Sequence, residues 1–168
     1  MTFTIRPAGV ADAAAIDELV TAAFGQPGEA GLVAALNAAG RIDLELVAEA
    51  GGLIVGHVLF SPMTVEGVAG AVTGLAPLSV AADWRRQGLG KALVDAGLAQ
   101  LQAKGVVAAV VLGDPAYYGR FGFVRADRFG LSCEYEVPPE YFMALELVPG
   151  ALDFAAGVAR YAPEFATL

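Results

Sequence analysis

The chain has 168 residues, of which 57 % are hydrophobic and 17 % charged, and its formal net charge is −8. This size and composition predict one domain with its own core, spanning residues 1–168. The acidic balance argues against a nucleic-acid binder, which needs a cationic surface, but suits an amine-bearing substrate. Cys133 is the sole cysteine, which excludes an intrachain disulfide and a cysteine zinc site. Without a long apolar run or a signal core, no membrane association and a cytoplasmic location are expected.

The first part of the chain predicts a strand over residues 3–6, a helix over residues 10–24 and a second helix that ends near Gly40. Both helices repeat apolar side chains at i, i+3, i+4 and i+7, which places one stripe toward a core. The stripes are Ile16, Leu19, Val20 and Ala23 in the first helix and Leu32, Ala35, Leu36 and Ala39 in the second.

The middle of the chain predicts three strands, over residues 44–49, 53–65 and 72–81. Gly51-Gly52 predicts a tight hairpin turn between the first two, because glycine adopts positive φ without steric cost.

A long helix is then predicted from Gly88 to Lys104, followed by a buried strand over residues 106–112 and a short helix over residues 115–118. Two further strands complete the order β-α-α-β-β-β-α-β-α-β-β. This order predicts a mixed sheet with helices on its faces.

The segment over residues 78–91 carries the strongest functional signal. An apolar strand leads into a turn with Arg85 and Arg86, then into Gly88, Gly90 and Lys91 at the start of a helix. Three of the ten Lys and Arg residues of this acidic chain fall within seven positions here. Backbone N–H groups at a helix start, flanked by glycines and cations, form a site for an anion such as phosphate.

Two common phosphate-binding loops fit this segment poorly. The dinucleotide-binding pattern requires a third glycine where the chain has Leu93, and the P-loop requires Ser or Thr where it has Ala92. A nucleotide-binding or redox domain is therefore disfavoured.

The spacing Arg85-x-x-Gly88-x-Gly90, between an apolar strand and an amphipathic helix, resembles the signature of the GNAT superfamily of N-acetyltransferases. The opening over residues 5–7, the order of elements and the segment over residues 118–123 match the same pattern. The resemblance covers nearly the whole chain. It implies a single α/β domain with a mixed, mostly antiparallel sheet that is splayed at its centre and flanked by helices on both faces.

In this family the glycine loop binds the pyrophosphate of acyl-CoA through backbone N–H groups, and the pantetheine arm pairs with the preceding strand. The resemblance therefore implies acetyl-CoA as co-substrate, with no metal. The implied pyrophosphate contacts are Arg85, Arg86, Gln87, Gly88, Leu89, Gly90 and Lys91, and the implied pantetheine contacts are Leu78, Ser79 and Val80.

Direct acyl transfer needs a neutral amine, a donor for the oxyanion and a proton or hydrogen bond for the leaving thiolate. The resemblance assigns the last role to Tyr118, with Tyr117 as its rival, and the oxyanion role to the backbone N–H of Val80. A phenol with an ordinary pKa of about 10 is protonated at neutral pH and suits that role.

The general base stays open at this point. Many relatives carry a carboxylate on the strand before the loop, whereas residues 74–78 of this chain carry none. Asp114 is expected to cap the short helix and His57 to be a structural residue, but either is a candidate base. Water is a further candidate, as are three carboxylates near the C-terminus, Glu134, Glu136 and Glu140, which are expected to be solvated.

The sequence therefore predicts an acyl-CoA-dependent N-acyltransferase that transfers acetyl to a primary amine of a small molecule, peptide or protein. The alternative is an acyl-CoA-binding module without catalysis, which the missing strand carboxylate favours. The acceptor, the length of the acyl group and the formation of a homodimer are left open.

Overall fold

The computed structural model describes residues 2–168, and its contacts divide the chain into two compact units. The first comprises Met1–Phe60, Pro77–Ala99 and Pro163–Leu168, and the second comprises Ser61–Ala76 and Gln100–Ala162. The α-helices are α1 (Ala13–Phe24), α2 (Gly28–Ala39), α3 (Leu89–Ala103) and α4 (Pro115–Tyr118). The strands are β1 (Thr4–Pro7), β2 (Leu44–Ala50), β3 (Leu53–Glu66), β4 (Ala71–Val80), β5 (Val106–Leu112), β6 (Val124–Arg125), β7 (Leu131–Cys133), β8 (Phe142–Glu146) and β9 (Ala156–Arg160).

In the first unit β1, β2 and the first half of β3 pair antiparallel, with Thr4 opposite Glu49. The predicted hairpin turn is confirmed, because Gly51 and Gly52 both have positive φ, at 55° and 79°. Side chains with a Cβ are disfavoured in this left-handed region, which explains the glycine pair.

Helices α1 and α2 bury the large side chains of the predicted stripes, whereas Ala23 and Ala35 are half-buried and Ala39 is exposed. Ile16, Leu19 and Val20 of α1 are buried, as are Leu32 and Leu36 of α2. Each helix ends at a glycine in the left-handed conformation, Gly25 after α1 and Gly40 after α2. This is the usual C-terminal cap, because the conformation lets the chain leave the helix without a Cβ clash.

Helix α3 packs against β3 within the first unit through two glycines. A Cβ on Gly97 would lie 2.4 Å from the ring of Phe60, and a Cβ on Gly56 would lie 2.3 Å from Leu89. The helix therefore approaches the strand more closely than any larger residue would allow.

In the second unit β5 lies between β4, its parallel neighbour, and β8, its antiparallel neighbour. Its residues Ala108 to Val111 are at most 1 % exposed, as expected of a strand covered on both faces. The β4–β5 register ends at Leu75, whereas β4 itself runs to Val80. Strands β7 and β9 also pair parallel, whereas the pairs β1–β2, β2–β3, β3–β9, β5–β8 and β6–β8 are antiparallel, so the mixed, mostly antiparallel α/β fold is confirmed.

Two expectations need correction. The first helix begins with a 3₁₀ turn at Val10–Asp12, so α1 starts at Ala13 rather than Val10. Four strands rather than two follow α4. Two of them have only two and three residues, β6 and β7, which is too short for an alternating pattern to be seen. Among residues 2–168, no helix is both long and apolar enough to cross a membrane.

Candidate functional site

The first part of the candidate site is the connection between β4 and α3 in the first unit. A 3₁₀ turn at Ala82–Trp84 follows β4, and the ring of Trp84 packs edge-on against Phe3 with centroids 6.1 Å apart. The backbone N–H of Ala81 donates to the carbonyl of Val55 at 2.8 Å. The connection is thus held at its start by the sheet and by an aromatic contact.

The backbone of this loop has the geometry of an anion site. Arg86 and Gly88 have positive φ, at 60° and 79°, so the backbone is left-handed at two positions just before the helix. The first helical bond runs from the N–H of Ala92 to the carbonyl of Gly88 at 3.0 Å. The N–H groups of Leu89, Gly90 and Lys91 therefore precede the helical ladder and lie at the positive end of the helix dipole.

The side chains of this loop have two roles: one anchors the helix start, and the others carry positive charge. Leu89 is 1 % exposed and fixes the helix start, whereas Arg85, Arg86 and Lys91 are exposed. The Arg85 Nε donates to the Val80 carbonyl over 3.4 Å, and Lys91 pairs with Asp95 at 2.5 Å. No salt bridge involves either arginine within residues 2–168. The loop therefore offers two uncompensated positive charges beside the helix start.

The implied pantetheine strand lies just before the loop. Leu78 and Val80 are half-buried and Ser79 is 2 % exposed, so side chains alternate along this end of β4. These residues come after Leu75, where the register with β5 ends. In the loop that follows, the side-chain amide N–H of Gln87 donates to the Asp83 carbonyl at 3.0 Å, which stabilises the turn.

Tyr118 lies in the second unit, at the end of α4. Asp114 caps this helix, its carboxylate accepting from the N–H of Ala116 at 2.9 Å, as the sequence predicts. A Cβ on Gly113 would lie 2.4 Å from the Tyr118 ring. Gly113 was not predicted as a site residue, and its position beside the capping aspartate is the one sequence signal that points to it.

Burial, with a smaller contribution from the neighbouring Tyr117, raises the pKa of Tyr118 to about 12. The expectation of an ordinary pKa near 10 was therefore wrong, because the phenol is mostly buried. Phe123 and Tyr117 lie 6.0 Å and 5.0 Å from it between ring centroids. Tyr118 is fully protonated at neutral pH and is a hydrogen-bond donor there.

The other candidate bases lie in different environments. His57 is fully buried, and its Nε2 lies 2.7 Å from a carboxylate oxygen of Glu45. Glu134 is half-buried rather than solvated as expected, because its carboxylate accepts from the N–H of Tyr161 at 2.6 Å. Glu136 and Glu140 are exposed as expected. Sequence reasoning missed Glu45, although its place between the buried Leu44 and Leu46 marks it as a polar residue in a core strand.

No group of three or more potential metal-ligating side chains occurs in the part of the chain that the structure describes.

Comparison with known proteins identifies the family. Residues 4–126 match the model of the acetyltransferase (GNAT) domain. Over 155 residues the chain is 39 % identical to the N-acetyltransferase YhbS of Escherichia coli (strain K12), which covers 92 % of this chain and 93 % of that protein. It is 36 % identical over 144 residues to the N-acetyltransferase YjhQ of the same organism, covering 83 % and 80 % of the two chains.

Two solved structures extend the similarity. The crystal structure of YhbS from Escherichia coli in complex with CoA aligns with a TM-score of 0.94 and 38 % identity, covering 98 % of this chain and 92 % of that chain. A GNAT family acetyltransferase from Brucella melitensis in complex with acetyl-CoA aligns with a TM-score of 0.81 and 35 % identity, covering 98 % of both chains. On the strength of the glycine loop, the fold and these matches, the chain belongs to the GNAT family of acetyltransferases.

Proposed function

We propose that the chain transfers an acetyl group from acetyl-CoA to a primary amine of a small molecule, peptide or protein, and that residues 1–168 act as one catalytic domain. The observation that carries the proposal is the β4–α3 loop, whose positive φ at Gly88 and exposed arginines form an anion site. The CoA and acetyl-CoA complexes of the two similar structures support the choice of co-substrate.

The proposed binding mode follows the loop from its strand. The pyrophosphate is held by the N–H groups over residues 85–91, with Arg85 and Arg86 supplying charge. The pantetheine arm pairs with the backbone over residues 78–80, beyond the end of the β4–β5 register. The N–H of Val80 then donates to the oxyanion of the tetrahedral intermediate.

Transfer itself forms a C–N bond and breaks the C–S bond of the thioester. The neutral amine attacks the carbonyl carbon, and the sulfur leaves as a thiolate that ends as the CoA thiol. With a pKa of about 12, Tyr118 is a weaker acid than a thiol of pKa about 8.5. We infer that Tyr118 stabilises the departing sulfur by a hydrogen bond, and that the proton lost by the amine reaches the thiolate through solvent.

A thermal-shift titration tests the co-substrate. Acetyl-CoA or CoA at about 100 times its dissociation constant should raise Tm by about 5–10 °C, and NAD and ATP should not. Gly88→Asp and Arg85→Glu should each weaken CoA binding at least about tenfold, because both bring negative charge to an anion site.

Two matched variants make this test specific. Gly88→Ala introduces the same left-handed strain without charge, and a Cβ there meets nothing within 4 Å, so it should retain most of the binding. Lys104→Glu makes the same charge change as Arg85→Glu at the far end of α3. Equal shifts with CoA and NAD, or equal loss in Lys104→Glu, would contradict the assignment of the loop.

The remaining expectations are proposals with their own measurements. Cytoplasmic location is tested by fractionation of cells that express the chain, and homodimer formation by light scattering at several concentrations. The alternative, a CoA-binding module without catalysis, gives the same thermal shifts but no amide product with any amine.

A further inference from the structure

The first unit contains a cleft that the proposed transfer reaction does not use. It has a volume of about 500 Å³ and lies between α1 and α2, with β2 contributing one residue, Glu45. Its walls are mostly small and apolar, with Ile16 from α1 and Val33 and Ala34 from α2. The charged lining residues are Asp17 and Glu45, and both are acidic.

Glu45 is a carboxylate held in an apolar setting. Its side chain is 10 % exposed, and it accepts from His57 at 2.7 Å and from Asn37 at 3.3 Å. The Nδ1 of His57 is buried without a hydrogen-bond partner among the described residues. With its hydrogen on Nε2, the imidazole donates to Glu45. A hydrogen on Nδ1 would instead be a buried N–H without an acceptor.

The cations of this part of the chain are committed elsewhere. Residues 1–60 contain two basic and seven acidic residues. Arg6 is held by Asp12 at 2.8 Å and by Glu49 at 3.2 Å, and Arg41 is held by Glu164 at 2.9 Å. No positive side chain lines the cleft. A mostly buried carboxylate that lines a cleft without Lys or Arg favours a ligand that brings a positive charge.

We propose that this cleft binds a small organic ammonium ion. The ammonium contacts Glu45, with Asp17 contributing to the field, and the apolar body of the ligand packs against Ile16 and Val33. Apolar walls with two carboxylates favour an alkylammonium over a hydrated metal ion, which takes six or more oxygen ligands. No residue of the β4–α3 loop lines the cleft.

His57 gives a direct readout, because it is the single histidine of the chain. With [¹⁵N]histidine labelling, the two ring nitrogens yield one pair of signals that report the tautomer and its bond to Glu45. We expect the Nε2-protonated form, and we expect n-butylammonium to shift both signals saturably. Butyrate and n-butanol, matched in shape, should leave them unchanged at the same ionic strength.

Two variants test the site by charge and by volume. Glu45→Gln keeps the shape of the side chain and should weaken n-butylammonium binding at least about tenfold, since a charged acceptor is lost. Ala34→Leu fills the cleft from an exposed position and should block binding while the chain stays folded. Glu18→Gln removes the same charge from the exposed side of α1 and should leave affinity within about twofold.

Three outcomes would overturn the proposal: no saturable shift with n-butylammonium, equal shifts with n-butanol, or equal weakening by Glu18→Gln and Glu45→Gln. None of these depends on turnover, so failure of the cleft and failure of the acetyltransferase proposal are distinguishable.

Discussion

At the scale of single residues, the proposed chemistry depends most on the side chain of Tyr118. Tyr118→Phe removes one oxygen and keeps the ring that packs against Gly113 and Phe123. We expect kcat to fall about 100-fold, because the leaving sulfur loses its hydrogen-bond donor. The thermal shift with CoA should be unchanged. Steady-state kinetics with a saturating amine measure both effects.

Tyr117→Phe is the matched control for this variant. Tyr117 packs edge-on against Tyr118, and its ring centroid lies 4.6 Å from the guanidinium of Arg120. The kcat of Tyr117→Phe should stay within about threefold of the native value. Loss of activity in Tyr117→Phe with retention in Tyr118→Phe would reverse the assignment.

The raised pKa of Tyr118, about 12 in the folded state, predicts how stability depends on alkaline pH. The folded state holds the phenol proton between pH 10 and 12, where the unfolded state releases it. The free energy of unfolding therefore falls by about 3 kcal/mol as pH rises through this window. Denaturant unfolding should show a shallower fall in Tyr118→Phe, and identical slopes in the two proteins would show that burial does not shift this group. Tyr161, whose pKa burial also raises, contributes equally to both proteins.

At the scale of elements, the close packing of α3 on β3 predicts opposite effects for two glycine substitutions. Gly97→Ala should destabilise the chain by about 1–3 kcal/mol, because its Cβ would lie 2.4 Å from Phe60. Gly31→Ala should stabilise it by about 0.5–1 kcal/mol, since Gly31 lies in α2 with nothing within 4 Å of a new Cβ. Urea unfolding of both variants tests this contrast, and a loss of stability in Gly31→Ala would contradict it.

The elements that sequence reasoning predicts are those with a strong periodic or turn signal. The stripe of Ile16, Leu19 and Val20, the glycine hairpin and the apolar run of β5 each follow from local pattern. The strands β6 and β7 could not be predicted, because pairing with distant strands, rather than their own two or three residues, defines them.

The residues of the candidate site were likewise predictable only where the signal is local in the sequence. The residues of the β4–α3 loop are contiguous, so glycine spacing and local charge reveal them. Contacts between distant residues stay hidden in one sequence: the Glu45–His57 hydrogen bond spans 12 positions. The pKa of Tyr118 was also out of reach, since it depends on burial rather than on sequence neighbours.

At the scale of the whole molecule, charge separates the two kinds of ligand. The chain carries a formal net charge of −8, which disfavours anions over most of its surface. The two exposed arginines of the β4–α3 loop reverse this sign locally. An acidic protein with one cationic loop therefore suits an anionic co-substrate at that loop and a cationic acceptor elsewhere.

The central claim is that the chain makes an amide from acetyl-CoA. Incubation with acetyl-CoA labelled in the acetyl group and a mixture of primary amines, followed by mass spectrometry and thiol titration, measures both products. We predict a labelled amide of at least one amine, formed with one CoA thiol per amide. If CoA raises Tm yet no amide forms, and thiol release stays at the rate without amine, the chain is a CoA-binding module and the claim of catalysis is wrong.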